Sequence, residues 1–313
     1  MKTLRALVAV LALAAGPAAH AQLFRAYLST KGSDANPCTL PAPCRLLPAA
    51  INAVADKGEI WMLDSGNYNT GTVTLAKSVS VLAVPGVVGS LVSVANDSPA
   101  IDIAAGGLAV ALRNLSFTAL ADASSPTMGV RMTGNSSLVV EDSAFFALGG
   151  FGIRATQGRV MVANTTFTNI PGYALHVMGT ASALAEGSRF VGNGIAVKAD
   201  GDGGPAATAF ATLVDCVLSR NVVGLALQPD AGNAIALLDR SLVERSVNDE
   251  VISPAPAPNS TSRVMLRAST LVPNPLFTGL PGRAINATGP VISYSGNVIA
   301  GTITGNLLVG GLQ

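Results

Sequence analysis

The chain has 313 residues, of which 49% are hydrophobic and 12% are charged, and its formal net charge is +1. A chain this apolar buries enough surface to offset the entropy lost on folding, which excludes intrinsic disorder. The near-zero net charge and the 4% aromatic content argue against nucleic acid as a partner, because binding it needs a basic surface and stacking rings. We therefore expect a folded protein that does not bind nucleic acid.

The first 21 residues have the pattern of a secretory signal peptide. Lys2 and Arg5 precede an apolar run from Ala6 to Ala15, and Ala19 and Ala21 frame a small-x-small cleavage site. The run is too short to span about 30 Å of hydrocarbon, and a Gly-Pro pair follows it. We predict a mature chain that is secreted or periplasmic and does not insert into a membrane.

Three cysteines follow the predicted cleavage site. In an oxidising compartment we expect Cys38 and Cys44 to form a disulfide that closes a proline-rich loop. The alternative, a metal or redox pair, would need further ligands, and His176 is the single histidine after residue 21. We therefore expect no metal site. Cys216 lies in an apolar run and is interpreted as a small buried residue rather than a reactive thiol.

From about residue 100 the sequence repeats one unit. An alternating apolar stretch leads to Asn, Asp or another small residue, and a large apolar residue follows three positions later, as in Asn114 with Phe117, Asp142 with Phe145 and Asn164 with Phe167. Short strands at such a period, without helical periodicity, predict a solenoid of parallel strands. The recurring Asn or Asp is expected in a turn, because these residues tolerate the left-handed conformation.

The N-terminal segment contains one amphipathic helical pattern, over residues 45–56. Leu47, Ala50, Ile51 and Val54 share one stripe of it, and a helix there would cover the open end of a solenoid. We predict a signal peptide at 1–21, a segment with the disulfide loop and capping helix at 22–57, and a β-helix of about ten coils at 58–313.

Several stretches resemble secreted bacterial members of the pectate-lyase-like superfamily. These are Gly32-Ser33-Asp34-Ala35-Asn36-Pro37-Cys38, the predicted helix, Gly66-Asn67-Tyr68 and the closing Tyr294-Ser295-Gly296-Asn297. The resemblance covers essentially the whole mature chain and implies an all-β, right-handed parallel β-helix with an N-terminal capping helix. It implies no single activity, because that superfamily includes lyases, hydrolases, esterases, epimerases and non-catalytic adhesins.

The catalytic motifs of that superfamily are mostly absent. Where polygalacturonase-like members carry Asn-Thr-Asp, this chain has Asn164-Thr165-Thr166, without the carboxylate. The Asp-Asp, Gly-His-Gly and Arg-Ile-Lys motifs of those hydrolases and the Asp-Pro-His of alginate-epimerase-like members do not occur. Pectate-lyase-like calcium sites need clustered acidic residues, which no strand pair here supplies. We therefore expect no cofactor, and calcium is not indicated.

The candidate site comes from the register of the repeat. Outward positions on three consecutive coils hold Arg131, Arg154 and His176, and the same reasoning puts Ala196 and Ala226 on the next two. Stacked coils would place the three side chains about 5 Å apart along one face, with Val130, Ile153 and Leu175 inward. Such a stripe suits the carboxylates of an acidic polysaccharide, because Arg binds carboxylate with two hydrogen bonds.

Two interpretations of this stripe are open. In lyases that resemble this fold, an Arg can abstract the proton alpha to the uronate carboxyl group, and Arg154, flanked by Arg131 and His176, is the candidate base. Alternatively, the three side chains are solvated surface groups.

Glu141 and Glu186 are the candidate carboxylates. They occupy corresponding positions two coils apart, roughly 10 Å from each other, which is loose for an inverting glycosidase and too long for a retaining one. Ion pairing with Arg113, Arg154 or Arg189 is the alternative role. A turn is likewise favoured over a calcium site for Asp200-Gly201-Asp202.

Trp61, Tyr27 and Tyr68 could form a sugar platform near the cap, although packing is the favoured interpretation. The sequence thus predicts a monomeric protein that binds an acidic polysaccharide along one face through Arg131, Arg154, His176, Glu141 and Glu186. A divergent polysaccharide lyase acting on a uronate polymer and a structural or adhesion protein are the alternatives. A large exposed apolar patch would favour the last of these.

Overall fold

Short apolar segments separated by Asn, Asp, Gly and Ser form strands that stack in parallel from turn to turn. The computed structural model describes residues 22–120, 126–274 and 283–310. The predicted signal peptide at 1–21 lies outside these residues. Within them, thirty β-strands and one α-helix, α1 (Leu47–Ala53), follow one another.

The strands of the first half of the chain are β1 (Leu23–Leu28), β2 (Val54–Met62), β3 (Gly66–Asn67), β4 (Val73–Thr74), β5 (Val79–Ala83), β6 (Gly89–Ser93), β7 (Pro99–Ile103), β8 (Ala109–Arg113), β9 (Leu115–Ala119), β10 (Met128–Met132), β11 (Ser137–Glu141), β12 (Ala144–Phe146), β13 (Phe151–Ala155), β14 (Arg159–Ala163) and β15 (Thr166–Thr168). Those of the second half are β16 (Tyr173–Met178), β17 (Ser182–Glu186), β18 (Arg189–Val191), β19 (Ile195–Asp200), β20 (Thr208–Val214), β21 (Val217–Ser219), β22 (Val223–Gln228), β23 (Asn233–Asp239), β24 (Leu242–Glu244), β25 (Asp249–Ser253), β26 (Ser262–Arg267), β27 (Thr270–Val272), β28 (Arg283–Ser293), β29 (Val298–Ile299) and β30 (Thr302–Val309).

Each turn of the solenoid passes through three faces. Face 1 consists of β2, β5, β8, β11, β14, β17, β20, β23 and β26, with β1 at its N-terminal edge. Face 2 consists of β3, β6, β9, β12, β15, β18, β21, β24, β27 and β29. Face 3 consists of β4, β7, β10, β13, β16, β19, β22 and β25, and the long strands β28 and β30 run across face 3 into face 1.

The prediction of a parallel β-helix is confirmed, but the number of coils is smaller than expected. Among the described residues, eight turns carry strands of at least three residues on all three faces, from β5–β6–β7 to β26–β27–β28. The turn before them has two-residue strands on faces 2 and 3, and β29 after them is equally short. The predicted count of about ten coils was therefore slightly too high, because these terminal repeats form incomplete turns.

The capping helix is shorter than the pattern over residues 45–56 predicted. It ends at Ala53 because Val54 is already extended and opens β2. Leu47, Ala50 and Ile51 point into the core, as the amphipathic stripe predicted. The adjoining loop is closed by a disulfide between Cys38 and Cys44, which confirms that pairing.

A column of phenylalanines fills the core beneath face 2. The rings of Phe117, Phe145, Phe167 and Phe190 stack on successive turns, with centroids 4.4, 4.7 and 4.8 Å apart, and all four are fully buried. The repeated Gly before the apolar residue on face 3 makes room for them. A Cβ on Gly152 would lie 2.8 Å from the Phe167 ring, closer than carbon atoms pack. The large apolar residue of the repeat is thus the central core residue.

The recurring Asn or Asp occupies the corner between faces 1 and 2. Asn114, Asp142, Asn164 and Asp215 have φ values of 54°, 50°, 48° and 52°, which confirms the left-handed turn predicted for this position. On later turns the residue directly after this corner carries a hydroxyl group that accepts a hydrogen bond from the turn before it. The Leu115 N–H donates to Ser143 Oγ at 3.1 Å, and the Ser143 N–H donates to Thr165 Oγ1 at 3.3 Å. These hydrogen bonds between the corners of adjacent turns fix the register of the strands, and the register aligns the side chains on each face.

Cys216 occupies one position of this hydroxyl column. It is 1% exposed, and its Sγ lies 3.3 Å from the carbonyl oxygens of Ala185 and Val214. Burial raises the pKa of the thiol to about 11, so that the nucleophilic thiolate is scarce at neutral pH. The interpretation of Cys216 as a buried residue is confirmed. No helix of the described residues is long and apolar enough to cross a bilayer.

Candidate functional site

The outward column of face 3 begins as the repeat predicted. Arg131 of β10 lies beside Arg154 of β13, which lies beside His176 of β16. Neighbouring strands are about 4.8 Å apart, so these side chains form a continuous row. Asp102 of β7 lies on the other side of Arg131 and extends the row toward the N-terminus.

The prediction for the next turn was wrong. Lys198, not Ala196, lies beside His176, and Ala226 follows Lys198. Ala196 is buried. The error arose because Gly194 was aligned with the strand glycine of earlier turns, whereas the pairing of Ile195 with Tyr173 places Gly194 in the preceding corner. The register thus adds a further cation to the row.

Arg131 is neutralised by its neighbour. Its Nε donates to Asp102 Oδ1 at 2.9 Å and its Nη2 donates to Asp102 Oδ2 at 3.1 Å, a bidentate ion pair. The hydrogen bond to Asp102 raises the pKa of Arg131 above its ordinary value. The guanidinium of Arg131 is therefore already occupied by a carboxylate.

His176 is buried although it points outward. It is 4% exposed, and its ring lies 4.8 Å from that of Tyr173 and 5.7 Å from that of Phe151. Its Nε2 is 3.4 Å from Asp200 Oδ2, and its buried Nδ1 has no hydrogen-bond partner among the described residues. Burial lowers the pKa of His176, an effect that the Asp200 carboxylate only partly offsets. The ring is therefore neutral at pH 7.

Lys198 is held by the same carboxylate. Its Nζ is 3.1 Å from Asp200 Oδ2 and 5.1 Å from the Tyr173 ring centroid. Burial by itself would raise the pKa of Asp200, but the hydrogen bonds from His176 and Lys198 outweigh it and hold that pKa below its ordinary value. Asp200 is thus ionised and neutralises Lys198.

Arg154 differs from its neighbours because no carboxylate pairs with it among the described residues. Its guanidinium carbon lies 5.0 Å from the Phe151 ring centroid, and its Nε donates to Met178 Sδ at 3.4 Å. Phe151 in turn stacks on Tyr173 at 5.4 Å. We call Phe151, Arg154, Tyr173, His176 and Lys198 the Arg154 patch. It presents one unpaired cation beside two half-exposed rings.

Glu141 and Glu186 lie away from this patch, on face 1. Ala163 separates them in the register, which places them two turns apart as predicted. Glu141 Oε2 accepts from Arg113 Nε at 2.5 Å, so it forms one of the surface ion pairs considered above. Glu186 is exposed. The structure therefore groups Arg131, Arg154 and His176 but does not bring either glutamate to them.

The described residues contain no group of three or more His, Cys, Asp or Glu side chains that could hold a metal ion. Asp200 ends β19 and is bound by His176 and Lys198, while the exposed Asp202 lies in the loop that follows. Asp200 thus belongs to a strand, and Gly201 and Asp202 belong to the loop after it.

The aromatic residues near the cap divide into two environments. Tyr68 is fully buried, and its hydroxyl donates to the Asp64 carbonyl oxygen at 2.6 Å, in agreement with a packing role. Tyr27 and Trp61 are half exposed on face 1, with ring centroids 6.3 Å apart. The Arg25 guanidinium carbon lies 3.9 Å from the Trp61 ring centroid, and Arg25 Nε donates to Glu59. This second aromatic group therefore has its cation already paired.

Three residues of the patch, Phe151, Tyr173 and Lys198, were not predicted from the sequence. A four-residue pattern could have found them: Met128-Gly129-Val130-Arg131, Phe151-Gly152-Ile153-Arg154, Tyr173-Ala174-Leu175-His176 and Ile195-Ala196-Val197-Lys198. Each unit has a large apolar residue, a small residue, an aliphatic residue and a basic side chain. Aligning the complete units, rather than the glycine alone, gives the register of the structure.

No family model matches the chain, and no curated protein matches it in sequence. Among solved structures, the chain is similar to a rhamnogalacturonan lyase, with a TM-score of 0.63 and 13% identity over 91% of this chain and 84% of that chain. A pectate lyase gives a TM-score of 0.45 and 14% identity over 94% of this chain and 79% of that chain. The first similarity shows a shared fold, the parallel β-helix.

Proposed function

We propose that this pectate-lyase-like β-helix binds an acidic polysaccharide through the Arg154 patch. The observation that carries the proposal is the unpaired guanidinium of Arg154 between two cations that are already neutralised. A sugar carboxylate can accept two parallel hydrogen bonds from such a guanidinium. Arg154 is therefore the cationic group that contacts the sugar carboxylate in the proposed site.

The rings beside Arg154 supply the second component of the site. Phe151 and Tyr173 are half exposed and stack on each other. Ligand sites combine aromatic surface with a few oriented polar groups, and the apolar face of a pyranose ring can pack against such rings. The patch thus offers a charged contact and an apolar contact within two turns of the solenoid.

The other members of the row have supporting roles in this proposal. Asp102 orients Arg131, and Asp200 fixes Lys198 and His176 under the rings. Face 3 runs parallel to the solenoid axis, so a linear polymer can extend past the patch in both directions. The similarity in fold to a rhamnogalacturonan lyase supports an association with carbohydrate.

An exported protein would meet such a polymer outside the cytoplasm. The Cys38–Cys44 disulfide supports this location, because disulfides persist in oxidising compartments. The signal-peptide pattern of residues 1–21 supports it independently. We therefore propose a secreted or periplasmic protein.

The test measures how much purified protein is retained on immobilised polygalacturonate, alginate, hyaluronan and a neutral glucan. The wild type, Arg154→Ala and the control variant Arg159→Ala are compared on each polymer. Arg159 is an exposed arginine on face 1 of the next turn, so its loss changes net charge equally without changing the patch. We expect retention on the acidic polymers only, and its loss in Arg154→Ala alone. Equal retention of both variants would contradict the proposal.

The same samples decide between binding and cleavage. Release of unsaturated uronates, read as ultraviolet absorbance, would identify a lyase if the release disappears in Arg154→Ala. Retention on the polymer without release of unsaturated uronates would indicate that the protein binds the polymer and does not cleave it as a lyase.

A further inference from the structure

Face 1 carries an uncharged column, apolar except at Ser80 and Thr212, that the proposed function does not use. Its outward positions are in register on nine successive turns: Ser80, Ala111, Val139, Met161, Leu184, Thr212, Leu237, Met265 and Ile292. All nine side chains are partly exposed, and none is charged. We call this column the face 1 stripe.

The stripe is long for the surface of an isolated chain. Eight steps of about 4.8 Å give it a length of roughly 38 Å. Phe210 and Ile235, in the adjoining outward column, widen its C-terminal half. Contiguous exposed apolar surface of this extent marks an interaction site.

The stripe changes in side-chain size along its length. Its N-terminal end, with Ser80 and Ala111, forms a shallow depression of about 260 Å³. Its C-terminal end carries the larger Leu237, Met265 and Ile292. A second copy laid antiparallel on the first, with Met161 over Leu184, therefore places Leu237 over Ala111 and Met265 over Ser80. At the end of the stripe Ile292 meets Glu59, which precedes Ser80 in the same column. The periodicity of the two surfaces also matches, because both repeat at the strand spacing.

The central contact fixes the antiparallel register. When Met161 faces Leu184 of the second copy, Ala111 faces Leu237 of that copy, and the two-fold axis generates this contact twice. Two charged groups beside the stripe are paired within each chain, Arg113 with Glu141 and the buried Asp239 with Arg240 and Arg267. Apolar contacts therefore carry the pairing.

The available area is sufficient for a stable dimer. Three outward columns span roughly 20 Å across the strands, which with a length of about 38 Å gives roughly 750 Å² per copy. Stable interfaces bury about 800 Å² per partner.

We propose that two copies of this chain pair antiparallel through the face 1 stripe, with Met161 and Leu184 at the two-fold axis. This differs from the monomer predicted from the sequence. An apolar residue that recurs once per turn cannot be told from a core residue until the register is known. Pairing through face 1 leaves the Arg154 patch on face 3 free, so this proposal does not depend on the proposed function.

Sedimentation equilibrium of the purified protein over the micromolar range tests the pairing. We expect a dimer for the wild type, a monomer for Leu184→Asp and for Met161→Glu, and a dimer for Val191→Asp. Val191 is a partly exposed apolar residue of the same turn on face 2, which makes it a matched control. Circular dichroism shows whether each variant keeps the fold. A monomeric wild type, or a dimer unaffected by both folded face 1 variants, would overturn the proposal.

Cross-linking tests the orientation. Ala111 and Leu237 lie five turns apart in one chain, about 24 Å, beyond the reach of a short bis-maleimide. We expect Ala111→Cys with Leu237→Cys to give a covalent dimer, and Ala111→Cys alone to give none. A dimer from the single variant would indicate a parallel arrangement and overturn the antiparallel one.

Discussion

Glu250 is a carboxylic acid inside the solenoid. It is 0% exposed, on β25, at the position that glycine or alanine holds on other turns of face 3. The Ser246 N–H donates to Glu250 Oε1 at 2.9 Å, and the Ser246 hydroxyl donates to Oε2. Burial nevertheless raises the pKa of Glu250 from 4.5 to about 7, because two hydrogen bonds do not replace hydration of the charge.

This shift predicts a pH-dependent stability. As pH rises from 4.5 to about 7, the unfolded chain loses the Glu250 proton while the folded chain keeps it. The free energy of unfolding therefore falls over this range, by about 3 kcal/mol, and is independent of this group above it. Glu250→Gln keeps an acceptor for the Ser246 N–H and has no charge to bury.

Urea denaturation measures the effect. We expect the stability of Glu250→Gln relative to the wild type to increase by about 3 kcal/mol between pH 4.5 and values above 7. Glu186→Gln, at an exposed position, should show no such trend. A difference that stays constant with pH would mean that Glu250 is ionised in the folded chain.

His176 gives a second prediction for a buried group. Burial lowers its pKa below 6.5, Asp200 raises it and Lys198 lowers it. We expect an NMR titration midpoint below 6.5, assigned by its loss in His176→Gln. Asp200→Asn should move the midpoint further down, and Lys198→Met should move it up. Shifts of the opposite sign would show that neither charge acts on the ring as the structure places them.

The stacked phenylalanines are a continuous structural element of the core. Phe145 is fully buried between Phe117 and Phe167, whereas the next residue, Phe146, is 38% exposed. Phe145→Ala should lower the free energy of unfolding by about 3–5 kcal/mol, through lost burial and an unfilled cavity. Phe146→Ala should cost less than about 1 kcal/mol. Equal costs, measured by urea denaturation, would contradict the assignment of the inward face.

The corners between faces 1 and 2 contain strained positions. Ala268 has a φ of 47°, a conformation that costs a residue with a Cβ about 1–2 kcal/mol. Ala268→Gly should therefore raise the free energy of unfolding by about 1 kcal/mol. Ala163→Gly, within strand β14, should lower it because glycine loses more entropy there. A destabilised Ala268→Gly would mean that the corner is not strained.

For the whole molecule, much of the fold could be predicted from the sequence. The repeat of a left-handed residue and a buried residue, such as Asn164 with Phe167, is visible in one dimension and sets the solenoid. The register of Arg131, Arg154 and His176 followed from it. What could not be predicted depends on contacts between turns. Neither the pairing of Arg131 with Asp102 nor the burial of His176 has a local signature.

Two faces of the rod have different chemistry. Face 3 carries the Arg154 patch, where paired charges surround a guanidinium that has no carboxylate partner in the described part of the chain. Face 1 carries the face 1 stripe, bordered by ion pairs such as Arg113 with Glu141. If both proposals hold, a dimer that pairs through face 1 exposes two copies of the Arg154 patch. Two linked sites increase the avidity for a polymer that repeats the same sugar.

The proposed function depends most on contact between Arg154 and a sugar carboxylate. Calorimetry with polygalacturonate and with its carboxyl-reduced, neutral form, using wild type and Arg154→Gln, tests it directly. We expect the wild type to bind the charged polymer about tenfold more tightly than the neutral one, and Arg154→Gln to lose this preference. A preference that is the same in both proteins would contradict the assignment of Arg154 as the carboxylate contact.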